Sequence, residues 1–504
     1  MAQARSMSWI LLALMTVAAV ASIRALPGMA LYGLGAVMLY LLPALLFFLP
    51  AALVTTELGT TWSGGVYGWC RQAFGEPFGI FASWFGWIQV CTLLPIILAF
   101  AADSLAFVIN PALAGNGIYT GIVIIGLYWL VTLVALRGVK QLARLSSLFM
   151  LAGTLFPALV LVVLGAIWLA QGHPSQAPLT WSALLPDIFG PGSQTLSGHA
   201  KTHPGVWHLF TGAIAGIVLI LNNFLAYSGI EMNALYASSL PNPQRDMPRA
   251  IGLAIGLILL IFIPPTLAIA VVVPADATSL TAGVMQAYSQ FFHAFGWDAA
   301  IDVMALLLVF GALGGVLIWS AGPAEEMLFV GKAGLLPRWW QATNPAGMPR
   351  HVLLAQAGMV TALASLYFFI PDVSAAFWML STLSAQIYLV LYVMMFVAAI
   401  RLRRLQPDQP RGYRAPCLHA LSVIGMLSSL AAFAIGFVPP RAESMPLSGL
   451  AYFGLLAGGL VLAALPPFLF YRWRRPEWEE ITPAEAEAYS APLTRPTTPH
   501  PSTS

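Results

Sequence analysis

Charged residues are scarce in this sequence: lysine, arginine, aspartate and glutamate together make up 8% of its 504 residues, whereas 59% of the residues are hydrophobic. Soluble domains carry about one quarter charged residues. A soluble protein of this size and composition would precipitate, so the scarcity of charge excludes that class. The composition therefore indicates an integral membrane protein whose main partner is the lipid bilayer.

Cysteine and catalytic motifs are also scarce. The three cysteines, Cys70, Cys91 and Cys417, show no paired spacing, so we expect reduced packing residues and neither a disulfide framework nor a zinc site. The chain contains no P-loop, no GxSxG elbow and no HExxH motif. These absences argue against an ATP-driven pump and against a membrane enzyme, and we predict no cofactor, no metal and no nucleic-acid partner.

What the sequence does contain is a series of long apolar runs. A bilayer core about 30 Å thick requires roughly 20 apolar residues per helix. By this measure the chain holds twelve candidate spans, near residues 8–30, 34–56, 78–107, 118–136, 146–171, 208–236, 251–273, 300–321, 351–370, 376–399, 419–438 and 450–471. We therefore predict an all-α integral membrane protein with twelve transmembrane helices.

The positive charges follow the side of the membrane that this span count predicts. With the amino terminus inside, 19 of the 22 lysines and arginines fall on one side; Lys201 and Arg441 lie outside, and Arg24 lies in the membrane. Cytoplasmic loops carry an excess of positive charge. We therefore predict a bacterial inner (plasma) membrane protein with both termini in the cytoplasm.

Residues 1–475 form the predicted transmembrane domain, and the charged, proline-rich residues 476–504 are predicted to be a flexible cytoplasmic tail. Two segments fall on the outer side. Residues 171–207 are predicted to form an irregular loop. His199 and His203 in this loop, with His208 just after it, suggest an outer metal site, but the lack of other ligand types disfavours it. Residues 279–295 are predicted to hold a short helix.

The first span contains an unusual combination of residues. Arg24 is the only charge between Ser8 and Thr56, and Pro27 and Gly28 follow it closely. Proline lacks the backbone N–H that a helix interior needs, and irregular backbone is tolerated at membrane depth only where it faces a cavity. A broken helix beside a buried arginine predicts a solute site.

The sixth span repeats this pattern. Ser228 and Gly229 fall about 21 residues into it, much as Pro27 and Gly28 fall about 20 residues into the first. Corresponding breaks five spans apart are typical of a five-plus-five inverted repeat, with the substrate between the two broken helices. We place the repeats at about 8–171 and 208–399, followed by two extra helices within 419–471.

The residues around the two breaks are the candidate substrate site. Backbone N–H groups near Pro27, Gly28 and Met29 are expected to bind an α-carboxylate, as helix ends do for anions. Arg24 would then recognise a second acidic group through its planar guanidinium; the alternative is an anchoring arginine that extends to the interface. Glu231 is either a proton-linked or gating carboxylate or the static ion-pair partner of Arg24.

Five segments resemble the amino acid–polyamine–organocation transporters, and among them the bacterial glutamate:GABA antiporter group. They are Glu57–Trp69, Leu225–Glu231, Leu240–Arg249, Ala282–Gln286 and Gly322–Pro337. The resemblance implies a LeuT-like fold of twelve helices, ten of them in the inverted repeat, with the first and sixth unwound at the centre. It also implies alternating access to an amino acid.

The same resemblance, which covers about Trp9 to Phe470, implies substrate contacts with backbone around Ala25 to Gly28 and Tyr227 to Glu231. Two departures limit it. A charge at Arg24 leaves the substrate open, and the tail keeps only Arg495 and His500 of the histidine- and arginine-rich plug of the glutamate:GABA exchanger.

From these features we expect a secondary amino-acid exchanger for an acidic or zwitterionic substrate. Proton coupling and a homodimeric assembly are left open. Two alternatives remain. One is a membrane sensor or scaffold of the same fold, which would need a signalling domain that the short tail cannot supply. The other is an antiporter for cationic amino acids or polyamines, which Arg24 disfavours.

Overall fold

The computed structural model describes residues 8–138, 146, 148–184, 217–234, 240–370, 372–440, 447–482, 485 and 491–492. Within these ranges the regular structure is helical, with three isolated backbone bridges. We number the main helices in chain order: α1 Trp9–Val20, α2 Leu26–Ala30, α3 Gly33–Gly59, α4 Gly65–Phe74, α5 Glu76–Ile109, α6 Gly117–Ala135, α7 Leu148–Ala170, α8 Leu221–Ala226, α9 Ile230–Ala234, α10 Pro243–Val272, α11 Gly283–Phe295, α12 Ala299–Lys332, α13 Arg350–Phe369, α14 Val373–Leu405, α15 Leu418–Ile435 and α16 Gly449–Arg472.

Ten of these helices, among the described residues, are long and apolar enough to cross a membrane: α3, α5, α6, α7, α10, α12, α13, α14, α15 and α16. They coincide with ten of the twelve predicted spans. The other two predictions, 8–30 and 208–236, fall on helices that are interrupted, and no described stretch within either reaches span length. The protein is therefore a multi-span, all-helical membrane protein.

The outer surface of the helix bundle is apolar. Leu133, Leu159, Leu260 and Leu462 are 59%, 62%, 61% and 71% exposed, and they come from four different spans. So many exposed leucines over the length of a bilayer would aggregate in water but match the hydrocarbon core of a membrane. The lipid-facing surface thus surrounds a core in which α5 and α14 are the most buried spans.

Glycine allows two spans to approach closely on one side of this core. A Cβ atom on Gly153 of α7 would lie 2.1 Å from the backbone nitrogen of Gly311 of α12, a separation that no side chain tolerates. Small residues at helix crossings permit backbone-to-backbone contact in membranes. The contact fixes α7 against α12 beside the first interrupted helix.

The first span is interrupted, but not where we predicted. Ala21 and Ser22 have extended backbone conformations, and a short 3₁₀ turn at Ile23–Ala25 follows before α2 begins. Pro27 lies in the first turn of α2, where its missing N–H is not needed, and Gly28 is also helical. The prediction that Pro27 and Gly28 form the break is therefore wrong; the break lies six residues earlier, at Ala21 and Ser22.

The sixth span is interrupted where we predicted. α8 ends at Ala226, Ser228 and Gly229 are non-helical, and α9 begins at Ile230. Gly229 has φ of +104°, and a Cβ there would lie 2.7 Å from the ring of Trp319 on α12. Both the backbone conformation and the contact require glycine at this position.

A buried charge cluster lies on the side of the bundle that we predicted to be cytoplasmic. Glu57, which is 2% exposed, accepts two hydrogen bonds from Arg403, at 2.6 and 3.0 Å, and one from the backbone N–H of Ala415 at 2.7 Å. Nε of Arg411 lies 2.9 Å from the same carboxylate but is not aligned as a donor. The cluster ties the end of α3 to α14 and to the loop that follows α14.

Parts of the predicted flexible tail contact the helical domain. The N–H groups of Glu480 and Ile481 donate to the carbonyl of Lys332 at 2.9 and 3.1 Å, and the N–H of Ser63 donates to the carbonyl of Ala491 at 3.1 Å. These described tail residues are bound. Flexibility stays a prediction for the rest of residues 476–504.

On the opposite side of the bundle, the short helix that we predicted within residues 279–295 is present as α11. The predicted outer loop is described only up to residue 184, so His199, His203 and His208 lie outside the described residues. In the part of the chain that is described, no three potential metal ligands cluster.

Candidate functional site

An interior cavity lies between the two interrupted spans. About 50 Å³ of it is accessible to the centres of water molecules, and its walls come from the first break, the second break, α5, α7, α12 and α14. At 10–15 Å³ per water this is room for about four water molecules.

The first break contributes backbone and one charge to the cavity. Residues 20–24 all line it, and they include the extended Ser22. Arg24 is 7% exposed, and its Nε has no hydrogen-bond partner among the described residues. Of the described residues that line the cavity, Arg24 is the only charged one. No ion pair among the described residues neutralises Arg24, so the site presents a positive charge in a low-dielectric interior.

Arg24 and Ser228 are the two residues of our predicted site that line this cavity. The hydroxyl of Ser228 donates to the carbonyl of Phe224 at 2.7 Å, which leaves its lone pairs as acceptors. The two side chains come from the two interrupted spans, as the repeat pattern predicts. Their role in binding stays a prediction.

The other predicted residues of the first span lie away from the cavity. Ala25 is buried but does not line it. Pro27 packs against Gly283 of α11, Gly28 lies beside Asn222, and Met29 accepts a hydrogen bond through its sulfur from Asn223. This arrangement follows from the position of the break, which exposes residues 20–24 instead of Pro27–Met29.

Two predicted residues of the sixth span support the break instead of facing the cavity. Tyr227 is fully buried, donates to the carbonyl of Tyr40 at 3.0 Å and stacks on Phe48. Gly229 lies under the ring of Trp319, and that ring does line the cavity. Trp319 therefore forms a wall that the second break positions.

Glu231 is buried and lies behind the cavity wall. Its carboxylate accepts hydrogen bonds from the hydroxyls of Tyr388 and Tyr392, both on α14. Tyr388 also lines the cavity, so it separates Glu231 from the interior space. No ion pair joins Glu231 to Arg24 in the structure, which removes the support for a static brace between them.

Gln89 on α5 and Thr154 on α7 are polar residues of the cavity that sequence reasoning missed. Each of these two residues has a local feature that could have drawn attention to it. Gln89 is the only carboxamide in the 34 residues of α5. Thr154 lies in a π-helical turn, Leu151–Leu155, a feature often found at functional sites. Neither signal indicates which face of its helix points inward.

Comparison with known proteins agrees with this architecture. Residues 7–461 match the sequence model of the family described as amino acid permease. An uncharacterised transporter of Legionella pneumophila is 36% identical over 91% of this chain and 95% of its own length. A glutamate/gamma-aminobutyrate antiporter of Lactococcus lactis is 29% identical over 91% of this chain and 88% of its own. A probable agmatine/putrescine antiporter of the same species is 25% identical over 82% and 86%.

Proposed function

We propose, from the premise that this chain belongs to the amino acid permease family, that it exchanges an acidic or zwitterionic amino acid across the membrane by alternating access. The family is one of transporters, so the chain is a carrier and not an enzyme. One observation carries the choice of substrate class: Arg24 is the only charged side chain among the described residues that line the cavity.

The buried charge of Arg24 is costly. Burying an arginine without a counter-charge costs several kcal/mol. A substrate carboxylate that enters the cavity neutralises the guanidinium and recovers part of this cost, whereas a second cation adds repulsion. Electrostatics in the cavity therefore favour a ligand with an anionic group.

For the membrane arrangement we propose twelve spans, in which the interrupted helices complete the ten continuous ones. The five-plus-five inverted repeat is supported by the two breaks, which lie in the first and sixth spans and face each other across the cavity. The excess of positive charge supports cytoplasmic termini in a bacterial inner membrane. A homodimer stays a prediction.

For coupling we propose that Glu231 exchanges a proton during the transport cycle. Of the two tyrosines whose hydroxyls bind its carboxylate, Tyr388 also lines the cavity, so a change in the protonation of Glu231 alters a bond that holds the cavity wall. Tyr388 would then link the proton to access from one side of the membrane.

The relative that is a probable agmatine/putrescine antiporter raises the alternative of a cationic substrate. The cavity argues against it, because no described carboxylate lines the walls and the Glu231 carboxylate is already bound by two tyrosines. The alternative of a sensor without transport has no support from a fold feature.

Purified protein in liposomes tests the proposal directly. Vesicles preloaded with L-glutamate, GABA or a neutral amino acid are assayed for uptake of the same labelled compounds, with agmatine and putrescine as cationic competitors. We expect saturable exchange that acidic or zwitterionic amino acids inhibit and the two cations do not. Absence of uptake of every amino acid would refute transport, and preferential exchange of the cations would refute the substrate class.

A further inference from the structure

Gln89 is a cavity residue that the proposed function does not yet use. It lies in the middle of α5, is fully buried, and lines the cavity together with Arg24 and Tyr388. Its Oε1 atom has no hydrogen-bond partner among the described residues. A buried carbonyl oxygen without a partner is costly, so its presence beside a substrate cavity calls for a ligand.

The contacts with Ser384 fix the orientation of the Gln89 amide. Its Nε2 donates to the hydroxyl oxygen of Ser384 at 3.2 Å, and that hydroxyl donates its single hydrogen to the backbone carbonyl of Gln89 at 3.3 Å. With its hydrogen used, the serine oxygen can only accept from the amide. In this arrangement the NH₂ group faces Ser384, and Oε1 is the atom without a partner among the described residues.

We propose that Oε1 of Gln89 accepts a hydrogen bond from the ammonium group of the transported amino acid, while Arg24 binds its carboxylate. The inference rests on the proposed function and makes it more specific. The guanidinium of Arg24 can only donate, and the free amide oxygen can only accept. Together they select a ligand that carries both an anion and a cationic N–H group.

The experiment compares each amino acid with the same molecule in which hydrogen replaces the ammonium group. L-glutamate and glutarate form the first pair, and GABA and butyrate the second. Each compound competes with a labelled amino acid that the wild type exchanges in liposomes. We expect the wild type to prefer the ammonium-bearing member of a pair by about 10- to 100-fold, the range for one hydrogen bond to a charged group.

The Gln89→Leu variant removes the acceptor at similar volume. We expect its half-saturation concentration for the amino acid to rise by about tenfold or more, and its preference over the deaminated analogue to fall accordingly. Gln89→Met removes the acceptor with another uncharged side chain of similar length, so it should lose the preference in the same way. That second variant decides the matter if Gln89→Leu does not fold.

Gln386 supplies a matched control. It is also fully buried, its Oε1 also lacks a partner among the described residues, and its Nε2 donates to the carbonyl of Phe433 at 3.0 Å, but it does not line the cavity. Gln386→Leu should leave both the half-saturation concentration and the preference unchanged. An equal effect of the two leucine variants would show a packing role.

The outcomes separate this inference from the proposed function. If the wild type exchanges no amino acid, the proposed function fails. If the wild type is active but binds both members of a pair equally, or if Gln89→Leu keeps the wild-type half-saturation concentration, the transporter stands and the role of Gln89 is overturned. In that case a water molecule is the partner of Oε1.

Discussion

The backbone N–H of Gly229 donates to the hydroxyl of Tyr392 at 3.0 Å, and the same hydroxyl donates to the carboxylate of Glu231. One tyrosine of α14 thus binds both the break in the sixth span and the buried acid that follows it. A change in the bond to Glu231 is therefore transmitted directly to the backbone at the break.

Replacing Gly229 tests whether this backbone conformation is needed. Alanine at φ of +104° is strained by about 1–2 kcal/mol, and its Cβ would lie 2.7 Å from the Trp319 ring. We expect Gly229→Ala to lower the exchange rate in liposomes by about tenfold or more. The control is Gly252→Ala in α10, where an added Cβ meets nothing within 4 Å. Wild-type exchange by Gly229→Ala would contradict the prediction.

Replacing Glu231 tests its role as the proton-linked group. Tyr388 and Tyr392 face its carboxylate from α14, and Glu326 acts on it electrostatically from α12. Glutamine keeps the shape and the ability to accept hydrogen bonds but cannot exchange a proton. We expect Glu231→Gln to exchange substrate at a rate that varies less than about twofold between about pH 5 and pH 8, where the wild type varies more.

The same assay on Glu326→Gln separates the two carboxylates. Glu326 accepts a hydrogen bond from Ser83 at 2.8 Å and does not line the cavity. If Glu231 is the coupling group, Glu326→Gln shifts the pH profile but keeps its amplitude. A flat profile for Glu326→Gln with a normal profile for Glu231→Gln would assign the role to Glu326.

The two interruptions show how far local sequence determines this fold. The break at Gly229 could be predicted to the residue, because glycine readily adopts the φ of +104° that the chain has there. The break at Ala21 and Ser22 could not, because neither residue forbids a helix, whereas Pro27 is compatible with the first turn of α2. Tertiary packing decides the first break.

The residues around the cavity also show how far local sequence alone can predict the site. Arg24 and Glu231 stand out in sequence as charges in apolar spans, and both are buried in the core. Arg24 lines the cavity, whereas Glu231 is bound by tyrosines behind its wall. This difference depends on contacts between residues about 160 positions apart, such as that of Glu231 with Tyr388. Gln89 was missed for the same reason, since nothing local shows that it meets Ser384.

The buried cluster around Glu57 predicts a strong effect on stability. Removing one partner of a buried ion pair costs about 3–5 kcal/mol, because the remaining charge stays in the interior. Arg403→Met should therefore lower the apparent Tm of the purified protein in detergent by several degrees. Arg474→Met is the matched control: its pair with Glu76 is 46% and 34% exposed and contributes about 0–1 kcal/mol. Equal shifts for both variants would contradict a structural role for Glu57.

Arg24 offers the sharpest test of substrate recognition. Lysine keeps the positive charge but loses the planar pair of donors, and methionine loses both. We expect the half-saturation concentration for L-glutamate to rise by about tenfold in Arg24→Lys and by about 100-fold in Arg24→Met, since charge-assisted hydrogen bonds are lost in turn.

The ratio of the half-saturation concentrations for two substrates distinguishes recognition by Arg24 from general damage to the protein. A neutral amino acid such as GABA carries one carboxylate where glutamate carries two. If backbone at the break, within residues 20–24, binds the carboxylate common to both, Arg24→Met should weaken glutamate binding far more than GABA binding. Equal weakening of both would mean that Arg24 binds the shared carboxylate, and unchanged binding of both would remove Arg24 from the site.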